Sequence, residues 1–276
     1  MLTEEQRAKR HNGIGASDSA IIMGYSTYKT PYQLYLEKIG SIEASDEMTE
    51  VQYWGNALEP IILNRFEEEN DVTITFPDTV YHPEYPFIFA NLDGWIEAED
   101  AVVEVKSANS FQRKEWDMAL TDGIPLVYLI QLAKQCAITD ASRGYCAVLI
   151  GGMEYKQFIY ERDKSLEELI IKSDIEFWDC VINRIEPDPI STSDCRLKFP
   201  KPHPDKIANS TLRTATALAE LMDVKVRMKH LSGDEERCKM HIMSHMGNAE
   251  YLMGQEGELL ATWKATKKGT RVFNIK

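Results

Sequence analysis

The spacing of apolar positions divides the chain into a helical opening, a run of short strands and a return to helices. Ser17 precedes the apolar run Ala20-Ile21-Ile22, and Pro31 opens TPYQLYLEKIG, which Gly40 closes, so two short helices are expected before residue 41. Over residues 48–70, Tyr53, Ala57, Leu58, Ile61, Ile62 and Phe66 recur at helical spacing, which predicts a longer helix kinked at Pro60. The period then shortens to two. Residues 72–76, 80–82, 87–91, 94–97 and 101–106 read as strands broken by Pro, Asp and Gly. Helices are predicted over 112–120 and 125–137, a hairpin over 144–150 and 154–160 around Gly151-Gly152, and an amphipathic helix over 164–184. Five prolines between residues 186 and 204 mark a boundary. Beyond it 205–231 and 235–246 read as helices, and 258–265 with 271–275 as a terminal hairpin. The pattern predicts an α/β (α+β) core over 1–204 and a smaller helical and hairpin extension over 205–276.

Composition narrows the function classes. With 276 residues, 43% of them hydrophobic, the chain can bury a sizeable core. No apolar run approaches the roughly 18 residues of a membrane helix, and the opening MLTEEQRAKRHNG lacks the apolar stretch of a signal peptide, so a cytoplasmic protein that engages no membrane is expected. The cysteines at 136, 146, 180, 195 and 238 form no CxxC pair and no zinc-type cluster with histidine. A net charge of −13 excludes a protein that is basic throughout, leaving nucleic-acid binding to a locally positive groove. Basic residues do cluster, at Arg7, Lys9 and Arg10, at Arg113 and Lys114, and at Lys264, Lys267, Lys268 and Arg271.

The candidate chemistry lies in NLDGWIEAEDAVVEVKSAN. Asp93 sits in a Leu-Asp-Gly turn, and Glu104-Val105-Lys106 follows on a strand, where alternation puts Glu104 and Lys106 on one face and Val103 and Val105 on the other. Two acids and a lysine that converge are what phosphodiester hydrolysis requires. Mg²⁺ is a hard cation that prefers oxygen ligands, polarises phosphate and helps generate hydroxide. Asp93 and Glu104 would hold it, with the Val105 carbonyl as a further ligand, while Lys106 would orient the attacking water and stabilise charge on the phosphate. Alone, an E-x-K strand is more often a structural ion pair than a site. Here it has company.

The arrangement resembles the core motif of the PD-(D/E)xK nuclease superfamily, and its surroundings resemble the YqaJ-type viral recombinase family, that of lambda exonuclease, over roughly residues 10–162. Arg10-His11-Asn12-Gly13-Ile14-Gly15-Ala16-Ser17 is similar to the family's N-terminal segment, which implies that Arg10 and Ser17 bind the 5′-phosphate of a DNA end. Trp54-Gly55-Asn56-Ala57-Leu58-Glu59 resembles the family's Gly-x-x-x-Glu helix and implies that Glu59 stands beside the metal, with Gly55 allowing close approach of a strand or of DNA. Tyr128-Leu129-Ile130-Gln131 is similar to the Tyr-x-x-Gln helix and brings Gln131 to the site. No role falls to Gln135, four residues further on.

The resemblance implies a restriction-endonuclease-like core, a mixed central sheet flanked by helices. It also implies 5′-to-3′ digestion of one strand of linear double-stranded DNA with two Mg²⁺ ions, or Mn²⁺, leaving 3′ single-stranded tails for recombination. The implied partners are DNA ends, two further copies in a ring-shaped homotrimer, and a single-strand annealing protein. Two alternatives stand beside it: a structure-specific or restriction-type endonuclease on the same core, and a non-catalytic recombination partner.

Overall fold

The structure, a computed structural model that describes residues 12–42, 48–117 and 123–276, separates at the proline-rich stretch into Met1–Lys201 and Pro202–Lys276. In the first unit the elements run α1 (Asp18–Ile22), α2 (Pro31–Lys38), α3 (Glu50–Asn70), β1 (Val80–Tyr81), β2 (Phe89–Ala90), β3 (Gly94–Ile96) and β4 (Ala101–Ala108). A 3₁₀ helix (Ser110–Asp117), α4 (Leu126–Thr139), β5 (Arg143–Ile150), β6 (Glu154–Tyr160), α5 (Lys164–Ile182) and α6 (Thr192–Lys198) complete it.

The central sheet has the order β3-β4-β5-β6, with β4 and β5 parallel and the outer pairs antiparallel, and helices flank it. A parallel pair needs a crossover, and α4 lies within the one between β4 and β5. Because β4 is covered on both faces, its sequence AVVEVKSA reads as nearly continuous apolar. Ala101, Val103 and Val105 pack with Ile62, Leu63 and Phe66 of α3, whereas Val102 and Ala108 belong to the cluster of Ile130, Leu132, Ala133 and Cys136 of α4. Glu104 shares the Val102 face, the one turned to α4. Gly144 permits the close seating of α4 on β5, since a Cβ there would stand 2.7 Å from Leu132 Cδ1 and 3.0 Å from Cys136 Sγ. Thr30 and Thr49 start α2 and α3 with reciprocal capping bonds to Gln33 and Gln52.

Several expectations are corrected. Residues 72–76 form no strand beyond a bridge of Thr75 to Trp95, because Asp71 ends α3 in the left-handed region (φ 53°) and the Glu67 side chain takes the Ile74 N–H. Tyr53 and Ile61 are exposed; α3 buries only Ile62, Leu63 and Phe66 of its later half. Residues 110–117 form a 3₁₀ helix, opened by Asn109 Oδ1 accepting from the Phe111 and Gln112 amides, and 118–120 lie outside the described residues. The proline-rich stretch contains α6, whose Ser191 and Asp194 cap each other.

In the second unit a single helix, α7 (Leu212–Met246, 35 residues), replaces the two predicted. Gly233 sits inside it, at a cost of about 1 kcal/mol that so long a helix absorbs. β7 (Tyr251–Met253), β8 (Leu259–Ala265) and β9 (Arg271–Ile275) follow as an antiparallel three-stranded sheet, one strand more than the expected hairpin. Among the described residues no helix is long and apolar enough to cross a membrane.

Candidate active site

Between the loop that precedes α1, the first half of α3, the start of β3, β4 and α4 lies a cleft of about 480 Å³. Ser17, Glu59, Asp93, Glu104, Val105, Lys106 and Gln131 all line it, brought together from five segments of the sequence. Arg10 lies outside the described residues.

Strand geometry places the acids. Asp93 stands in a bend at the entry to β3, and Gly94 after it has no room for a side chain, since a Cβ would lie 2.6 Å from Ile74 Cγ2. The β3–β4 pairing ends at Gly94 opposite Val103, so the edge of β4 beyond that point is left to side chains. There Asp93 Oδ2 accepts the Val105 N–H at 2.8 Å. The Val105 carbonyl points to the same side of the strand as its N–H and therefore toward the cleft.

Glu104 is fully buried, and three donors hold its carboxylate. Oε1 accepts from Gln131 Nε2 at 2.6 Å and from Lys106 Nζ; Oε2 accepts from Gln135 Nε2 at 2.6 Å. The Lys106 ammonium lies 5.2 Å from the centre of the Tyr128 ring, which gives the tyrosine of Tyr-x-x-Gln a role in seating the lysine. Burial opposes the charge on Lys106, but the Glu104 and Asp93 carboxylates outweigh it and hold the ammonium above its ordinary range. Burial, and then the Glu104 charge, push the Asp93 carboxyl up to about 8, with Lys106 and the Val105 N–H pulling only partly the other way. Two acids against one lysine leave this wall of the cleft one positive charge short.

Ser17 is exposed at the cleft. It occupies the residue before α1 but with helical backbone angles, and its hydroxyl makes no capping bond. The loop before it is pinned by two lysines: Lys38 Nζ donates to Gly13 O at 2.7 Å, and Lys134 Nζ to Ile14 O and Gly15 O at 3.1 and 2.8 Å. Lys134 in turn pairs with Asp174 at 2.7 Å, and Ser19 Oγ donates to the same carboxylate at 2.9 Å. Gly55 lines the cleft, but a Cβ there would meet only Ser107 Oγ at 3.8 Å, so packing on β4 does not demand a glycine.

Sequence reasoning missed Gln135 and Lys134. The available signal was a lysine and a glutamine set in the apolar helix LVYLIQLAKQCAIT, where a buried polar group must find a partner.

The YqaJ-like viral recombinase domain family matches residues 6–142. The uncharacterized protein YqaJ of Bacillus subtilis (strain 168) is 32% identical over 272 residues, which span 96% of this chain and 84% of that protein. Among solved structures, the alkaline exonuclease LHK-Exo of Laribacter hongkongensis superposes with a TM-score of 0.56 at 24% identity, covering 67% of this chain and 95% of that one. The same figures hold for LHK-Exo in complex with dAMP.

Proposed function

This chain belongs to the YqaJ-like viral recombinase family, and from that premise we propose that it is a metal-dependent exonuclease that digests one strand of linear double-stranded DNA from its 5′ end. The observation that carries the reading is the convergence of Asp93, Glu104 and Lys106 in one cleft with Glu59 and Gln131. An exonuclease of the same fold, solved in complex with dAMP, supports a nucleic-acid substrate.

The residues suit a hard divalent cation. Asp93, Glu104 and Glu59 line one cleft with a single lysine, Lys106, among them, an oxygen-rich wall of the kind a hard cation prefers. Among the described residues no three acids, histidines or cysteines form a ready-made metal cage. Mg²⁺ uses one or two carboxylates together with waters and substrate phosphate, and the candidate donors here are all oxygens. Asp93, Glu104 and the Val105 carbonyl would hold the cation, Glu59 would assist a second, and Mn²⁺ fits the same oxygen donors. When bound, Mg²⁺ supplies Lewis acidity toward the phosphate and lowers the pKa of water.

The chain's own groups do the rest. The Lys106 ammonium, kept charged by its carboxylate neighbours, faces the phosphate oxygens and stabilises charge that accumulates on them. Gln131, now donating to Glu104, supplies an amide that can orient water beside the same carboxylate. Ser17, on a loop held by buried Lys134, offers a hydroxyl to the terminal 5′-phosphate, and Arg10 would join it. DNA ends, a homotrimeric ring and a single-strand annealing protein are the partners we propose with this activity.

The test is Mg²⁺-dependent digestion of linear duplex DNA with and without a 5′-phosphate, beside a covalently closed circle. Loss of the 5′-phosphorylated strand with the circle intact is expected. Cutting of the circle would point to an endonuclease, and no cleavage with any divalent metal would point to a non-catalytic recombination partner.

A further inference from the structure

Gln135 is fully buried on α4, one turn beyond Gln131, and does not line the cleft. Its Nε2 donates to Glu104 Oε2 at 2.6 Å and reaches the Asn91 carbonyl at 3.5 Å. Asn91 stands two residues before Asp93, so one amide ties the carboxylate of β4 to the main chain that leads into the other acid. Both partners are acceptors, which fixes the amide with its nitrogen toward them. Its Oε1 is left buried with no hydrogen-bond partner among the described residues. An unpaired buried acceptor opposes folding, and an apolar side chain of similar size would remove the penalty. What such a side chain could not do is donate to Glu104.

The three donors to Glu104 also differ in place. Lys106 and Gln131 meet Oε1 from the cleft wall, where substrate and water compete for them, whereas Gln135 meets Oε2 from the interior. The interior bond is the one of the three whose donor does not line the cleft.

We propose that Gln135 is a positioning residue of this site: it holds Glu104 by Oε2, turns Oε1 toward the cleft, and fixes the carboxylate relative to Asp93. The proposal rests on the metal-dependent reading above. Outer partners of ligating carboxylates typically change metal affinity by about 10–100-fold.

The experiment titrates Mn²⁺ alone into the full-length chain by calorimetry, for the wild type and for Gln135→Met, which keeps the length and removes the donor. Alongside, the Mg²⁺ concentration for half-maximal digestion and the KM for linear duplex are measured. The expected result is Mn²⁺ affinity weakened at least about tenfold and a matching rise in the Mg²⁺ requirement, with KM for DNA unchanged. Wild-type Mn²⁺ affinity in folded Gln135→Met would overturn the proposal while leaving the nuclease reading intact. Should Gln135→Met fail to fold, Gln135→Asn keeps the amide but retracts it, and the same two outcomes decide. A wild type that binds no Mn²⁺ and cuts no DNA overturns the metal-dependent reading itself, and this proposal with it.

Discussion

Helix α4 takes part in two lysine–carboxylate assemblies that share ingredients and differ in arithmetic. In the cleft one ammonium, Lys106, faces two carboxyl groups, Glu104 and Asp93: burial and then the Glu104 charge raise Asp93, and the acidic neighbours outweigh burial to hold Lys106 up. In the interior one ammonium, Lys134, faces one carboxylate, Asp174, at 2.7 Å with both side chains fully buried. The other hydrogen bonds of Lys134 go to the Ile14 and Gly15 carbonyls. Burial dominates there: it lowers Lys134 and raises Asp174 despite their pairing. The interior pair is balanced, and its ammonium is satisfied by protein. The cleft assembly is unbalanced and open. Burial of charge therefore does not distinguish a working site from a clamp, whereas an unmatched charge facing a cavity does.

The sharpest way to break this comparison is to delete each lysine. Lys106→Ala is expected to lower kcat by at least about 10²–10³-fold, the usual loss when a preorganised charge donor is removed, while DNA binding persists. Single-turnover digestion with a parallel binding assay reads both, and retained turnover would end the assignment. Lys134→Met should act on stability. Stranding Asp174 in the interior is expected to cost about 3–5 kcal/mol in urea unfolding, most of it recovered in the double variant Lys134→Met/Asp174→Leu. Lys106→Met should cost much less, because Gln131 and Gln135 still donate to Glu104 and the cleft admits water. Equal losses for the two lysines would mean that both are clamps.

How far the sequence announces this difference depends on which link one reads. Asp93, Glu104 and Lys106 are legible because strand alternation is rigid: once β4 is recognised, the face shared by Glu104 and Lys106 follows. The hairpin of β5 and β6 is legible for the same reason, whereas the mixed sheet came only with the family resemblance. The interior pair is not, since Lys134 and Asp174 are forty residues apart on separate helices and only tertiary packing joins them. Gln135 escaped because the motif pointed one turn earlier, and nothing local says that a second glutamine on the same apolar helix also meets the carboxylate. Residues 72–76 misled in the opposite direction: a β-rich composition was overridden by the left-handed stop at Asp71. In α7, Ser232-Gly233 looks like a break, but the helix runs through it from Leu212 to Met246, since one glycine costs only about 1 kcal/mol.

A gentler probe sharpens the comparison without removing either lysine. In the metal-free protein Asp93 keeps its proton to about pH 8, whereas in the unfolded chain it ionises near pH 3.9, its reference value. Between those limits the folded state binds one more proton than the unfolded state, so stability falls as pH rises and the loss is complete above the folded pKa. Asp93→Asn, which is neutral throughout, should lack this component, and the melting-temperature difference between the variant and the wild type should widen in the variant's favour from pH 5 to pH 8.5. Saturating Mg²⁺ should close that gap by taking the place of the proton on the wild-type carboxylate. Asp174 is also raised, with the same sign of pH dependence, but it has no cleft to admit a cation, so Mg²⁺ should leave its contribution unchanged. If Asp93→Asn and the wild type lose stability in parallel across this range, the unmatched charge in the cleft is not there, and the distinction between the two assemblies falls with it.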